Sequence, residues 1–385
     1  MFDSNAALKR AEELSEEFKQ RSTEIEQARR IPPDVSEKIA KAGFYRLGAP
    51  ETIGGSEAPP AVSSQIFETL AQGDAACAWV AFIGTTTSTM LSMLPEDSAA
   101  HIFSHPDQLV TGVAAPTGVA EKVDGGFKVT GNWQWGSGSQ NAEWVSGGCL
   151  LKENGELMRN SKGIPRNHGF FMPKGDVEFS DTWHVAGLRG TGSLDYSAKD
   201  VFVPNERVTG YVKSDKVVTP LYRFPHFTFL ALGIAAVCLG IARAAIDELV
   251  HLAATKKRIS SSKTVADQQI SQMKLAQAEA DLQSARLFYY HEIDNAWQSA
   301  LAGNKVTIEQ RRNIRLATTN AVNKSVGVVN DMYDLGGGTS VYNKSKLQTH
   351  FRDIHVAKSH IMVAPSTLET IGRLYFGLES NTATL

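Results

Sequence analysis

The chain has 385 residues and a formal net charge of −2, with 42% hydrophobic and 21% charged residues. This length can bury a full core in two or three domains, and the lack of a basic excess excludes a nucleic-acid-binding protein. Three widely separated cysteines exclude a disulfide framework and predict buried thiols in a reducing compartment. Without an apolar signal segment or an apolar run of spanning length, we expect a cytoplasmic protein with no membrane segment.

The first hundred residues predict helices only. Helical spacing of apolar residues and helix-boundary signals predict helices over residues 3–30, 33–41, 62–71 and 75–93, and a short one ending near residue 103. The helix at 75–93 is nearly uncharged, so most of its surface should be buried. We therefore assign residues 1–108 to an N-terminal α-helical domain.

From residue 110 the composition changes to Gly, Val, Thr and aromatic residues in short alternating runs. Strands are predicted over residues 127–133, 144–151, 169–172 and 197–203, with turn signals such as Asp124-Gly125-Gly126 between them. The strand spacing predicts a central β-sandwich or open barrel over residues 109–215. The remaining residues, 216–385, predict a C-terminal four-helix bundle, and the fold class is α+β.

The bundle helices are predicted over residues 230–255, 264–300, 308–333 and 347–374. Pro365 should interrupt the last of them, because proline cannot donate a helical hydrogen bond. Three histidines at 350, 355 and 360 are spaced by five, so they fan out around one helix and form no metal site. We expect His355 to be structural and to pair with Asp353 or with a backbone group.

A glycine-rich stretch, W-H-V-A-G-L-R-G-T-G-S-L-D at 183–195, lies between predicted strands. Its glycines allow the backbone to approach a ligand closely, and Thr191, Ser193 and Arg189 offer two hydroxyls and a cation. An isolated stretch of this kind is more often a tight turn. Three further stretches favour a ligand site: W-x-W-x-S at 133–137, G-G-G at 336–338 and R-D-x-H-x-x-x-x-H at 352–360.

The helix–sheet–bundle order resembles the acyl-CoA dehydrogenase fold over nearly the whole chain. The run D-G-G-F-K-V-T-G at 124–131 resembles the strand that leads to the W-[IV]-[ST] flavin contact of that fold, here Trp135-Gly136-Ser137. The stretch at 187–193, followed by V-F-V-P at 201–204, resembles the segment around its strand exit. The resemblance implies an N-terminal helical domain, a central β domain and a four-helix bundle.

Two branches share this fold, and the sequence departs from the dehydrogenase branch in two places. V-A-A-P-T at 113–117 stands where dehydrogenases carry a T-E-P-x-x-G-S-D motif, and H-I-M-V-A-P at 360–365 stands near their Y-E-G-T base. Glu369 lies off that motif, so proton abstraction from a thioester lacks its base. The chain is similar instead to flavin-dependent monooxygenases of the 4-hydroxyphenylacetate hydroxylase, dibenzothiophene monooxygenase and secosteroid hydroxylase type.

This resemblance implies that Ser137 and His360 are catalytic and face the flavin. Ser137 would hydrogen-bond the flavin N5–H or a C4a-hydroperoxide, which survives only where water is excluded. His360, with a pKa near neutrality, would take a proton from a phenol or indole nitrogen, or hold the hydroperoxide protonated. A further family histidine in the first helical domain has no counterpart in the helix at 75–93.

The flavin site implied by the resemblance draws on all the quoted stretches. Its residues are Trp135, Ser137, Trp183, Arg189, Thr191, Ser193, Arg258, Ser260, Gly336, Gly337 and Gly338. Arg258 and Ser260 would hold a flavin phosphate, although a basic run is more often a solvated surface. The glycines at 336–338 would be either a helix stop or a flavin contact offered by a neighbouring subunit, which predicts a homotetramer.

Five residues are predicted to line the substrate pocket, although a hydrophobic hinge is the simpler interpretation of most of them: Thr87, Tyr222, Phe224, His226 and Phe227. The chain lacks a G-x-G-x-x-G unit for NADH, so a separate NAD(P)H:flavin reductase would supply FADH2 or FMNH2. We therefore expect the oxygenase component of a two-component monooxygenase that uses O2 on a small phenolic or indole-type aromatic. The alternatives are an acyl-CoA dehydrogenase with tightly bound FAD, and a non-catalytic flavin-binding paralogue.

Overall fold

The computed structural model describes residues 2–105, 107–212, 218–257 and 262–385. Its N-terminal part contains the helices α1 (Ser4–Ala28), α2 (Pro33–Lys41), α3 (Pro60–Gly73), α4 (Ala75–Thr89) and α5 (Glu96–Ile102). Helix α1 begins at Asp3, whose carboxylate accepts hydrogen bonds from the backbone N–H groups of Asn5 and Ala6. Such side-chain caps satisfy the first N–H groups of a helix, which have no partner within it.

Helix α4 is buried along its length, as its lack of charge predicts. Every residue in it except Ile83 is buried. Asp74 caps its start by accepting a hydrogen bond of 2.9 Å from the backbone N–H of Cys77. The Thr85 hydroxyl donates to the carbonyl oxygen of Phe44 over 2.8 Å. Such bonds allow a threonine-rich helix to lie inside a protein.

The central part contains the strands β1 (Val110–Val123), β2 (Gly126–Gly136), β3 (Trp144–Glu153), β4 (Glu156–Leu157), β5 (Asn167–Pro173), β6 (Glu178–Ser180) and β7 (Leu194–Pro204). They form one mixed sheet in the order β4-β3-β1-β2-β7-β6. Strand β5 also pairs with β3, along the same edge as β4 and opposite β1. Strands β1 and β3 are parallel, with Val110 opposite Trp144, and the other pairs are antiparallel.

The sheet bends around a core of aromatic side chains. Trp133 is fully buried and stacks on Tyr196, with ring centroids 5.4 Å apart. Phe127 of β2 meets Phe170 of β5 edge-on at 5.4 Å, although β1 and β3 separate these strands in the sheet. The predicted sandwich or open barrel is therefore a single mixed sheet that folds over its own core.

The C-terminal part contains α6 (Pro220–Arg223), α7 (His226–Thr255), α8 (Gln269–Leu301), α9 (Ile308–Gly336), α10 (Lys346–Ala357) and α11 (Pro365–Tyr375). A capping box between Thr307 and Gln310 starts α9. The predicted fourth bundle helix is divided into α10 and α11 by a short 3-10 turn at Ile361–Val363. Pro365 occupies the first position of α11, where its missing N–H costs nothing.

Helix α7 lies at the centre of the protein. Within the described part of the chain it is the one helix long and apolar enough to cross a membrane, so the expectation that no such run exists was wrong. Of its most apolar window, 89% is buried inside the protein. The N-terminal helices and the bundle helices share one hydrophobic core around it. The three cysteines are free and buried, as predicted.

Candidate functional site

The end of β2 separates an exposed tryptophan from a buried serine. Trp135 has a φ of +67°, and 68% of its surface is exposed. Its backbone N–H donates to Asp195 over 3.2 Å, and Thr111 donates to the carbonyl oxygen of Ser137 over 2.6 Å. A left-handed φ is uncommon for a residue other than glycine and marks a locally imposed conformation. This turn leaves the Trp135 ring free while Ser137 points inward.

A chain of hydroxyl groups joins Ser137 to the glycine-rich loop. The Ser137 and Ser193 oxygens lie 2.7 Å apart, as do those of Ser193 and Thr191. Thr191 Oγ1 donates to the carbonyl oxygen of Leu188 over 2.9 Å. At the other end, the Trp79 indole N–H donates to Ser137 Oγ over 3.2 Å.

The direction of this hydrogen-bond chain follows from its ends. Each hydroxyl has one proton to donate. Because Thr191 donates to a carbonyl oxygen, it must accept from Ser193, and Ser193 must in turn accept from Ser137. Ser137 therefore donates its own proton to Ser193, and one of the two lone pairs on its oxygen accepts a hydrogen bond from Trp79. The remaining lone pair can accept a hydrogen bond from a ligand N–H.

The glycine-rich loop is held tightly but keeps one buried donor without a partner. Leu188 is left-handed with a φ of +49°, and its carbonyl oxygen also accepts from the Trp183 indole over 3.1 Å. A Cβ on Gly190 would lie 2.4 Å from the Ile25 side chain, so only glycine fits there. Arg189 Nε is buried and has no hydrogen-bond partner among the residues that the structure describes. A buried donor of this kind is normally satisfied by a partner, which a ligand can provide.

His360 lies beside this cluster, on the side of the C-terminal helices. Its ring centroid lies 6.1 Å from that of Trp79, and its Nδ1 accepts a hydrogen bond of 3.2 Å from the backbone N–H of Met362. Burial, with a smaller effect of Arg315, lowers the pKa of His360 to about 4. The expected near-neutral pKa was therefore wrong. A neutral imidazole that accepts at Nδ1 carries its proton on Nε2, so His360 presents a hydrogen-bond donor.

Arg315 holds the turn that carries His360. Only 3% of its surface is exposed, and burial lowers its pKa to about 10. Its guanidinium donates to the carbonyl oxygens of Met362 and Thr384, and to the Thr367 hydroxyl over 3.3 Å. The His360 turn, the start of α11 and the segment around Thr384 are thus tied to one side chain of α9.

The other histidine of this stretch has a structural partner. His355 Nε2 lies 3.0 Å from the amide oxygen of Asn330 on α9. The expected pairing with Asp353 was wrong, because Asp353 accepts from the backbone N–H of Leu188 instead. Helix α10 therefore contacts the glycine-rich loop directly.

The second glycine-rich segment, Gly336 to Gly338, lies between the end of α9 and α10. Gly337 has a φ of +53°, and a Cβ on Gly338 would meet nothing within 4 Å. The Lys256 ammonium donates to the carbonyl oxygen of Gly336, so this turn adjoins the end of α7. Helix α10, about 17 Å long, separates it from His360. Arg258 and Ser260, the predicted phosphate contacts, lie outside the described residues.

A cavity of about 930 Å³ opens near the other end of α4. Of the five residues predicted to line a substrate pocket, Tyr222, Phe224 and His226 line this cavity, and Thr87 and Phe227 are not among its lining residues. His226 Nδ1 lies 3.2 Å from the Thr89 hydroxyl, and burial lowers its pKa to about 4. Thr89 follows Trp79 by ten residues, or about 15 Å of helix, so the cavity is distant from Ser137.

Four residues of this site were missed by the sequence reasoning: Trp79, Leu188, Arg315 and Asp353. Trp79 had a usable signal, because an indole N–H inside an uncharged, buried helix needs an acceptor from another element. Leu188 and Asp353 lie in the stretches 183–195 and 352–360 that the sequence singled out, but their contact, like those of Arg315, joins distant segments, and no local pattern predicts it.

The cluster around Ser137 suits a flavin. The Trp135 ring is an exposed aromatic face at its edge, Ser137 has a free lone pair for a ring N–H, and Arg189 Nε is a buried donor without a partner. A flavin isoalloxazine offers a flat ring, an N–H in its reduced form and carbonyl acceptors. The predicted residues Trp183, Thr191 and Ser193 contribute by fixing the loop around this cluster.

Comparisons with known proteins agree with this geometry. The family models described as acyl-CoA dehydrogenase N-terminal and C-terminal domains match residues 6–96 and 232–365. An indole-3-acetate monooxygenase of Pseudomonas putida is 34% identical over 92% of this chain and 89% of the relative. The oxygenase subunit HsaA of a flavin-dependent monooxygenase from Rhodococcus jostii is 28% identical over 92% of this chain and 93% of its own. The crystal structure of 3-HSA hydroxylase from Rhodococcus sp. RHA1 superimposes with a TM-score of 0.90 at 26% identity, covering both chains completely.

Proposed function

This chain belongs to the flavin-dependent monooxygenases with the acyl-CoA dehydrogenase fold, and from that premise we propose that it oxygenates a small indole-type or phenolic substrate. It acts as the oxygenase component of a two-component system. Reduced flavin, when bound, supplies the electrons that activate O2 for transfer of one oxygen atom to the substrate. The chain's own residues orient the flavin, exclude water and control protons.

The observation that carries this proposal is the directed hydrogen-bond chain that ends at Ser137. Because its own proton goes to Ser193, Ser137 serves as an acceptor for the N5–H of reduced flavin. Trp79 occupies a second lone pair, and turning the hydroxyl to donate to a ligand would break its hydrogen bond to Ser193. An acceptor fixed before the ligand arrives costs no reorganisation when the flavin reacts.

His360 supplies a donor on the bundle side of the same cluster. With its Nδ1 occupied by Met362 and its pKa near 4, it is neutral at physiological pH and carries a proton on Nε2. A neutral donor of this kind can hydrogen-bond to an oxygen atom and orient it while keeping its own proton. With its Nδ1 occupied, His360 has no free acceptor for a substrate proton or for a hydroperoxide O–H, so we assign it hydrogen-bond donation instead of either expected role.

Flavin binding is assigned to the residues around this cluster. The exposed Trp135 ring packs against the isoalloxazine, and Arg189 Nε donates to one of its acceptors. A flavin that is bound mainly by another subunit has its phosphate end contacted by five residues of this chain: Gly336, Gly337, Gly338, Arg258 and Ser260. Two observations support this division: α10 lies between the glycine turn and the His360 turn along the chain, and a Cβ on Gly338 would meet none of the described residues within 4 Å. It implies a homotetramer in which sites are shared.

The substrate is proposed from the relatives. An indole-3-acetate monooxygenase covers most of this chain, and a pigment production hydroxylase and a resorcinol hydroxylase also match it. The cavity lined by Tyr222, Phe224 and His226 is the proposed entry for a planar aromatic molecule. A separate NAD(P)H:flavin reductase supplies the reduced flavin.

An acyl-CoA dehydrogenase is the alternative that shares the fold. It requires a carboxylate base above the flavin, and His360 occupies the position expected for that base. Glu369, the first carboxylate after His360 in the sequence, is exposed on α11. A non-catalytic paralogue would bind flavin without turnover, but the complete hydrogen-bond chain from Trp79 to Leu188 favours an active site.

The proposal is tested by reconstituting the full chain with NADH, a flavin reductase and either FMN or FAD. Indole-3-acetate, indole and a simple phenol are offered separately, and products are identified by mass spectrometry. We expect NADH-dependent oxygenation of at least one of them. Bleaching of a bound flavin by acyl-CoA thioesters, with no oxygenated product, would instead identify a dehydrogenase. Flavin binding without either reaction would identify a non-catalytic paralogue.

A further inference from the structure

Two adjacent residues of α10 hold the glycine-rich loop by its backbone. The Asp353 carboxylate accepts a hydrogen bond of 2.6 Å from the N–H of Leu188, and the Arg352 guanidinium donates to the carbonyl oxygen of Ala186. Between them, a Cβ on Gly187 would lie 2.3 Å from the backbone of Arg352. The loop backbone is therefore pressed against α10 and hydrogen-bonded on both sides of Gly187. We call this arrangement the Arg352–Asp353 clamp.

The clamp acts at the residue where the hydrogen-bond chain ends. Leu188 presents its N–H to Asp353 and its carbonyl oxygen to Thr191 and Trp183. Because Leu188 is left-handed, its two peptide groups are fixed by these contacts rather than by its own conformational preference. If the Leu188 carbonyl turned away, Thr191 would lose its acceptor, and the direction of the hydroxyl chain would no longer be determined.

The clamp also connects the loop to the helix that carries Trp79. Arg352 forms an ion pair of 2.6 Å with Glu26 of α1, and both side chains are about one quarter exposed. Asp353 interacts electrostatically with Asp74, which caps α4. Helices α1, α4 and α10 thus meet beneath the loop. The two ends of the hydrogen-bond chain, Trp79 and Leu188, are therefore positioned by elements that interact with Arg352 and Asp353.

We propose that Asp353, assisted by Arg352, is a positioning residue that keeps the Ser137 hydroxyl in its hydrogen-bond-accepting orientation for reduced flavin. It acts through Leu188, Thr191 and Ser193 and does not touch the flavin. This assignment rests on the proposed function, because it takes the Ser137 cluster to be the flavin site.

The test compares Asp353→Leu, which removes the acceptor at similar volume, with Asp353→Asn, which keeps an acceptor oxygen. Asp331→Leu is the control, because it also removes a carboxylate, one that pairs with Lys274 between α8 and α9 and not with the glycine-rich loop. Amide hydrogen exchange is followed over residues 183–193 and, as an internal reference, over α8. The dissociation constants of reduced FMN and FAD, and product formed per flavin oxidised, are measured on the same full-length proteins.

We expect Asp353→Leu to accelerate exchange in the loop alone and to weaken flavin binding about tenfold, in keeping with a lost hydrogen bond to a charged group. Asp353→Asn should restore most of the protection and affinity, and Asp331→Leu should resemble the wild type. Unchanged loop exchange in Asp353→Leu would overturn the proposal. So would faster loop exchange with wild-type flavin affinity and product yield.

Different results would contradict the proposed function and the positioning role of Asp353. If the wild type binds no flavin, the proposed function fails, while the exchange data still report whether Asp353 holds the loop. If Asp353→Leu does not fold, its α8 exchange will be fast as well, and the comparison then rests on Arg352→Met. That variant removes the other half of the clamp, and it should raise loop exchange and lower flavin affinity in the same direction. Wild-type values in Arg352→Met would count against the clamp.

Discussion

The indole N–H of Trp79 donates a hydrogen bond of 3.2 Å to the Ser137 hydroxyl, joining the buried helix α4 to the end of β2. Replacing Trp79 with phenylalanine removes this donor but keeps an aromatic ring beside Phe82, whose centroid lies 4.8 Å away. Ser137 then gains a second free lone pair and can be solvated. We expect the ratio of product formed to flavin oxidised to fall by roughly threefold to tenfold, the cost of one hydrogen bond.

The control for this variant is Trp297→Phe. Trp297 is partly buried on α8 and packs against the same core, far from Ser137 in the sequence and in the fold. It should lose stability in a similar way while retaining the wild-type ratio. Equal ratios in the two variants would show that the Trp79 hydrogen bond has no part in the reaction.

His360 should act as a hydrogen-bond donor, and its substitutions can test that role. His360→Ala should leave flavin affinity intact and reduce the yield of oxygenated product by about threefold to tenfold, the usual contribution of one hydrogen bond. His360→Gln can place an amide N–H near the Nε2 position, so it should retain part of the yield. Flavin affinity is measured by fluorescence titration and yield by chromatography. Equal yields in all three proteins would remove His360 from the mechanism.

The pH dependence distinguishes the two roles of this histidine. Because burial holds its pKa at about 4, His360 stays neutral from pH 5 to pH 8. The ratio of wild-type to His360→Gln yield should therefore be constant over that range. A ratio that changes around pH 6.5, the ordinary histidine value, would indicate a titrating acid or base instead.

Substitutions in the turn at Gly337 can distinguish a structural role of its glycines from a role in flavin binding. Gly337 has a φ of +53°, so Gly337→Ala should lower the free energy of unfolding by about 1 kcal/mol. Gly338 faces open space within the protomer, so Gly338→Ala should leave that energy unchanged. If another subunit's flavin lies there, Gly338→Ala should still weaken flavin binding or tetramer formation. Wild-type affinity and assembly in Gly338→Ala would reduce this turn to a helix stop.

Asp353 should make stability depend on pH. Burial raises its pKa from the ordinary 3.8 to about 7, and the carboxylates of Asp74 and Glu26 add to the shift. The N–H of Leu188 and the charge of Arg352 oppose it. The folded protein thus holds a proton that the unfolded chain has released between about pH 4 and pH 7, and its free energy of unfolding falls as pH rises through that range.

In the Asp353→Asn variant the side chain at this position cannot ionise. That variant therefore lacks this fall in the free energy of unfolding between about pH 4 and pH 7. Its free energy of unfolding relative to the wild type should therefore rise between pH 4 and pH 7 and level off above pH 7. Urea unfolding at several pH values measures the difference. A difference that does not change with pH would show that Asp353 is ionised throughout.

The parts of the fold that follow from local patterns were predicted well. Helix α4 was found from its lack of charge, and Pro365 marked a break in the bundle, since both effects act within a few residues of the chain. The contact between Asp353 and Leu188 joins residues 165 apart, and no periodicity or capping rule reports it. The low pKa of His360 likewise arises from burial and from Arg315, which only the packed bundle brings together.

The measurement that tests the central claim most directly is a single turnover with isotopically labelled O2. The protein is mixed without air with photoreduced FMN or FAD and indole-3-acetate, and labelled O2 is then admitted. We predict one labelled oxygen atom in the product, at a yield that falls in Trp79→Phe and in His360→Ala. Reoxidation of the flavin to give only labelled hydrogen peroxide, with every indole and phenol offered, would contradict the account.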